Sequence, residues 1–344
     1  MPLSQPPDTP ADARPTAPGT PANARPATPD APAHTPATPR NRTLRTTTTT
    51  APAVALALTA ALLTGCSGNG DGPSSGDRSH KEKAMEKAKE EAKERAAGTG
   101  EQDRPAPRLP RPRAPFDYQL GGAYDPPAGV RAVSRDRAAK PVPGRYNICY
   151  VNAFQAQPGR AATKWWQEKH PELLLRDPDG DLVIDQDWNE PLFDISTAAK
   201  RKALLKVVGP WIDGCARSGF DAVEPDNLDS YTRSDGELDA ADGQAFARLL
   251  ARRAHDRGLA IGQKNTTEFL DKDLGFDFAV VEECGQYDEC GPYVKAYDGR
   301  VFDIEYEKEG YEAACRRWHG KLSVILRDRD VRPAGEDGYV YRRC

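Results

Sequence analysis

Short apolar runs bounded by turn-forming residues recur through the second two-thirds of the chain. Eight read as buried strands by length and β-branched content. They are FDYQL (116–120), RYNICYV (145–151), PLFDI (191–195), GFDAVE (219–224), LAIGQK (259–264), FDFAVVEE (276–283), RVFDIEY (300–306) and KLSVILR (321–327). Helical periodicity fills several gaps, in TAAKRKALLKVVGPWIDGCARS (197–218) and DAADGQAFARLLARRAHDRG (239–258). The second opens on Asp239 as an N-cap and closes on Gly258. Strands alternating with helices pair in parallel by crossover, so residues 116–344 predict an α/β fold, a (β/α)8 TIM barrel. An open doubly wound sheet is the alternative, but no GxGxxG or P-loop follows any strand. The segment LLLRDPDGDLVIDQDW holds Asp177, Asp179 and Asp181, yet Trp188 stands where a calcium loop needs Glu. A hairpin turning at Asp179-Gly180 explains it better.

The pattern is different before residue 116. Residues 1–40 are dominated by Pro, Ala, Thr and Asp and hold too little apolar surface to build a core, so disorder is expected. Arg40, Arg42 and Arg45 then precede APAVALALTAALLTGC (51–66), a basic flank and short apolar core that read as a secretory signal. Its ending, Leu63-Thr64-Gly65-Cys66, resembles a bacterial lipobox, which implies cleavage before Cys66 and a lipid on its sulfur. Residues 1–66 are thus expected to be an extension plus lipoprotein signal, and 67–115 a flexible, charged and Pro-rich linker. That places the folded domain on the outer face of a bacterial membrane, held only by the lipid, or free outside the cell.

Charge and cysteine count narrow the chemistry. Residues 116–344 carry 32 Lys and Arg against 40 Asp and Glu, an acidic balance that disfavours nucleic acid and suits a neutral or cationic ligand. Six cysteines beyond Cys66 favour disulfides over metal in an exported chain. Cys284 and Cys290 are close enough for a local bridge, Cys315 with Cys344 would pin the C-terminus, and Cys149 with Cys215 remain, one pairing of many. No metal or cofactor motif occurs, and a monomer is expected.

Barrel chemistry belongs at the C-terminal ends of the strands. Those ends offer Tyr118, Tyr150, Asp194, then Glu224, Asp226 and Asn227, then Lys264 and Asn265, then Glu282, then Glu305. Carboxylates at one end of four strands point to glycoside hydrolysis, where one acid protonates the leaving oxygen and a second attacks carbon or activates water. Rim aromatics such as Trp188, Tyr287 and Tyr306 are candidates to stack on sugar rings. A carbohydrate-binding barrel without activity, and a hydrolase of another glycan, are the competing readings.

FDYQL, GFDAVEPDNLDSY, ARRAHDRGLAIGQKN, FDFAVVEECGQYDEC and VFDIEY together resemble glycoside hydrolase family 114, the endo-α-1,4-polygalactosaminidase-like barrels. The resemblance implies internal cleavage of an α-1,4-linked galactosamine polysaccharide with retention of configuration. It carries the nucleophile to Asp226 and the general acid/base to Glu282, with Glu224, Asn227, Lys264 and Asn265 lining the site. It also supports the Cys284–Cys290 pair. The chain departs from the family pattern at Val281 and Glu283, which flank Glu282.

Overall fold

The computed structural model describes residues 106–344. The signal, Cys66 and most of the linker lie outside the described residues. Eight parallel strands follow one another around a curled sheet: β1 (Phe116–Gln119), β2 (Ala132–Asp136), β3 (Tyr146–Asn152), β6 (Ala222–Asp226), β7 (Ala260–Lys264), β8 (Phe278–Glu282), β9 (Val301–Glu305) and β10 (Ser323–Arg327). A ninth, β11 (Tyr341–Arg343), returns antiparallel to β10. Near the closure Gly121 N–H donates to the Val331 carbonyl, Tyr341 Oη donates to the Phe116 carbonyl, and buried Arg327 faces buried Asp117 at 3.6 Å.

Helices α1 (Arg160–Lys169) and α2 (Ala198–Ser218) follow β3, α3 (Ala240–His255) follows β6, α4 (Cys290–Tyr297) follows β8 and α5 (Lys308–Trp318) follows β9. Thr197 caps α2, and Asp239 caps α3 in a reciprocal box with Asp242. The crossovers after β1 and β2 are loops, so the barrel's helical layer is incomplete.

Two strand assignments differ from the sequence pattern. PLFDI is not a barrel strand. Its first residue ends β5 (Glu190–Pro191), which pairs antiparallel with β4 (Ile184–Asp185) in an excursion between β3 and α2. Leu192, Phe193 and Ile195 are buried with Trp166 and Leu173 in the helix-side core, and apolar burial there looks the same in sequence as burial in a sheet. The missed strand is AVSRD, β2. Arg135 interrupts its apolar run, yet Arg135 is buried, donating to Gln119 Oε1 and to the Lys140 and Tyr124 carbonyls.

Alternation decides which side chains enter the barrel. Phe116, Ile148, Ala222, Ala260, Phe278, Val280, Phe302, Ile304 and Ile325 fill its lower part as one apolar cluster. Gly262 belongs to this set because a Cβ there would stand 2.7 Å from the Phe278 ring. Residues 106–115 cover the opposite, N-terminal end. Arg108 pairs with Asp221, Tyr146 Oη donates to the Arg108 carbonyl, and Arg113 N–H donates to that of Gly299.

All six cysteines of the described residues are bonded, as Cys149–Cys215, Cys284–Cys290 and Cys315–Cys344. The first ties β3 to α2 across 66 residues, a closure worth about 4 kcal/mol on the chain-entropy model.

Candidate active site

Above the apolar layer the inward positions turn polar. β6 continues its inward parity from Ala222 to Glu224 and Asp226, with Pro225 between them on the outer side. The strand stays paired with β3 through Asp226 but with β7 only to Val223, and Pro225 has no N–H to continue a ladder. The two acids therefore stand at a rim where the sheet has parted. Asn227, Asn265, Thr266 and Glu283, just beyond three of these strands, all have left-handed backbones, with φ of 67°, 46°, 64° and 59°. Asn tolerates this conformation, whereas β-branched Thr266 is strained by it.

Lys264, inward at the end of β7, binds the cluster together. Its Nζ lies 3.0 Å from Asp226 Oδ1, 3.2 Å from Glu282 Oε2 and 3.6 Å from Glu224 Oε1. Side-chain exposure ranks the three acids by depth, 26% at Glu282, 17% at Asp226 and 0% at Glu224, with Lys264 at 3%. Each acid has further donors. Tyr118 Oη and Ser134 Oγ donate to Glu224 at 2.8 and 2.7 Å. Tyr150 Oη and Asn227 N–H donate to Asp226, both at 2.8 Å. Tyr306 Oη and Asn265 Nδ2 donate to Glu282, while its backbone N–H donates to Asn265 Oδ1 at 2.8 Å.

These surroundings separate the acids. Burial pushes Asp226 up, but Lys264, Tyr150 and the Asn227 amide outweigh it and hold the carboxyl below its ordinary value. Burial dominates at Glu224 and pushes it up to about 7 against Lys264 and its two hydroxyl donors. Burial pulls Lys264 down, yet Asp226, Glu282 and Glu224 hold it well above the usual lysine range. Tyr118, Tyr150 and Tyr306 are raised by burial and by neighbouring carboxylates, so all three remain hydrogen-bond donors. A cavity of about 270 Å³ opens beside Glu282, lined among others by Asn265, Thr267, Glu268, Glu289 and Tyr293.

Of the residues expected from sequence, the cluster brings together Tyr118, Tyr150, Glu224, Asp226, Asn227, Lys264, Asn265 and Glu282. It does not bring in the other three. Asp194 lies on the misread segment, where it accepts from Ser196 and pairs with Lys200 near the start of α2. Tyr287 stands 65% exposed on the loop closed by Cys284–Cys290, outside the hydrogen-bonded cluster. Glu305 has the wrong parity. With Phe302 and Ile304 turned inward, Asp303 and Glu305 point out of the barrel, and Tyr306 is the β9-side residue that reaches Glu282. Ser134 and Glu190 went unread because one sits on the missed strand and the other beside the misassigned one.

Glu305 has a structural task instead. Its Oε1 accepts from Gly285 N–H at 2.6 Å, beneath the loop that follows Glu282, and Asp303 lies beside it. Beyond the Cys284 and Gln286 backbone amides, which favour their charged forms, no group among the described residues satisfies Asp303 or Glu305 Oε2. Side by side and buried, the two carboxyls are placed to share a proton. Burial first, and then each other's charge, raise Asp303 well above the usual range, and burial raises Glu305. Cys284, Cys290 and Asp303 lie together, but the two sulfurs are bonded to each other and cannot hold a metal. A raised folded-state pKa gives stability that is complete below the unfolded value, about 4, and is lost as pH climbs through the folded one. Asp303→Asn is therefore expected to flatten the fall of Tm as pH rises above the unfolded carboxylate value. Thermal unfolding beside the wild type checks it, and an unchanged slope would contradict a shared proton.

The fold is similar to that of known proteins. A structure of Ega3 from Aspergillus fumigatus, solved in complex with galactosamine, is 24% identical, covers 71% of this chain and all of its own, and superposes with a TM-score of 0.57. The glycoside hydrolase domain of PelA from Pseudomonas aeruginosa is 18% identical, covering 66% of this chain and 98% of its own, at a TM-score of 0.48. The comparison with curated proteins gives no match. The model of glycoside-hydrolase family GH114 matches residues 97–344, the barrel and its carboxylate rim included. The chain belongs to glycoside-hydrolase family GH114.

Proposed function

We propose that the protein is an exported, endo-acting glycoside hydrolase that cleaves α-1,4-linked galactosamine polysaccharide with retention of configuration. The observation that carries this reading is the single ammonium shared by Asp226 and Glu282. Both carboxylates lie within ion-pair distance of one nitrogen, at 3.0 and 3.2 Å, which supports the close pair that retaining enzymes use. In the proposed mechanism Asp226, ionised, attacks the anomeric carbon, while Glu282 protonates the departing oxygen. Glu282 then takes a proton from the water that releases the sugar. As Asp226 loses its charge to the ester, Glu282 becomes the anion, and Lys264 sits where it stabilises either. Tyr150 and Tyr306 orient the two carboxylates.

The substrate reading is supported by the acidic domain and by Ega3, whose structure holds galactosamine. An aminosugar polymer is cationic when deacetylated, and the site has more acids than bases. Export is supported by three disulfides and by the basic-apolar segment ending at Cys66. The test is incubation of the purified protein with partially deacetylated α-1,4-galactosamine polymer, with chain length and anomeric configuration of products followed in time. Early internal shortening with α-configured ends is expected. Binding without any shortening would leave a carbohydrate-binding barrel.

A further inference from the structure

Glu190 is a carboxyl near the nucleophile that the mechanism above does not use. It lies on β5, in the excursion, and is tied to the barrel rim by Asn152, whose Nδ2 donates to Glu190 Oε2 at 2.8 Å. Asn152 is the register partner of Asp226 on the neighbouring strand, and its Oδ1 accepts from Asn227 Nδ2 at 3.0 Å. Glu190 is thus fixed one side chain away from the end of β6.

The carboxyl is nine-tenths buried but only half satisfied. The residue is 7% exposed, and its Oε1 accepts from no group among the described residues while remaining open to solvent. Burial, and then the charges of Asp226 and Asp185, push it up to about 8 against the Asn152 amide and Arg233. Arg233 is already occupied, with Asp185 at 2.6 Å and Asp229 at 2.9 Å. Raised to about 8, the carboxyl is largely protonated at neutral pH, and a cation brought against it draws it to the charged form and completes it.

We propose that Glu190 receives the 2-ammonium group of the sugar whose anomeric carbon Asp226 attacks, and so selects deacetylated over N-acetylated units at that position. This rests on the aminosugar reading above. C2 is bonded to C1, so its substituent lies beside the nucleophile, on the rim where Asn152 holds Glu190 Oε2 and leaves Oε1 free. An N-acetylated unit brings a neutral amide to the same place. It leaves the carboxyl without its counter-charge and adds bulk against Asn152 and Asn227.

The test compares the wild-type protein with Glu190→Gln and Glu190→Asp on fully deacetylated and on mixed N-acetylated α-1,4-linked oligomers, with products sequenced by mass spectrometry. The unit held over Asp226 becomes the new reducing end. For the wild type that end should be galactosamine. Glu190→Gln keeps an acceptor for Asn152 and is expected to lose about tenfold or more in kcat/KM on the deacetylated oligomer, the scale of one charge-assisted hydrogen bond. Its new reducing ends should become mixed. Glu190→Asp keeps the charge and should retain part of the preference. An active wild type with reducing ends unchanged in Glu190→Gln would overturn this assignment alone, as would equal loss on both oligomers. A wild type that cleaves neither oligomer would overturn the substrate reading on which it rests.

Discussion

Asp226→Asn and Glu282→Gln are each expected to lower kcat/KM on the aminosugar polymer by about a thousandfold or more while the barrel stays folded. The two losses should differ in kind. Asp226→Asn removes the carboxylate that Lys264, Tyr150 and the Asn227 amide hold below its ordinary value, so no nucleophile remains to form an ester. Glu282→Gln leaves that carboxylate in place, with Tyr150 and the Asn227 amide still on it. On a substrate whose leaving group needs no proton, the Gln variant should still attack. Without its base it should then stall as a glycosyl-enzyme, visible as a gain of one sugar residue in the intact mass. The Asn variant should show no such gain. An adduct in neither variant, with activity lost in both, would point to direct attack by water. More than a tenth of the activity surviving in either would remove that residue from the reaction.

The barrel and most of its rim were legible because both rest on a period of two. Inward parity on β6, β7 and β8 carries apolar residues below and Glu224, Asp226, Lys264 and Glu282 above, so the same count that finds the strand finds its acid. Reading failed where that count was obscured. Arg135 broke the run of β2 although its charge is satisfied within the protein, and Ser134 was lost with the strand. Leu192, Phe193 and Ile195 supplied the composition of a strand while packing against helices, which brought in Asp194 and hid Glu190. Glu305 differs, since it ends a true barrel strand but on the outward parity. Phe302 and Ile304 facing inward place Tyr306, not Glu305, in the cleft. Glu190 had no signal of its own, because its partner Asn152 is 38 residues away on another element.

Lys264→Met should damage both stability and rate, with opposite pH dependence from an ordinary surface change. The side chain is 3% exposed and touches Asp226, Glu282, Glu224 and, at 3.3 Å, Tyr118 Oη. Removing one member of a buried ionic cluster leaves the others uncompensated, a loss of about 3–5 kcal/mol. In the wild type the depressed pKa of Asp226 contributes stability above its unfolded value, and that contribution disappears as pH falls through the folded one. Without Lys264 the carboxyl rises instead. The deficit in Tm should therefore be greatest at neutral and alkaline pH and shrink toward about pH 4, where the acids take up protons. Catalysis should follow the same sign. The acidic limb of kcat/KM against pH reports the ionisation of Asp226, and it should move to higher pH in the variant. Lys264→Arg is not expected to rescue, because a planar guanidinium does not fit a point-charge position walled by Tyr118 and Tyr150. A lower Tm with an unmoved acidic limb would make Lys264 a structural cation alone. A limb that moves upward would establish that the lysine sets the charge of the nucleophile.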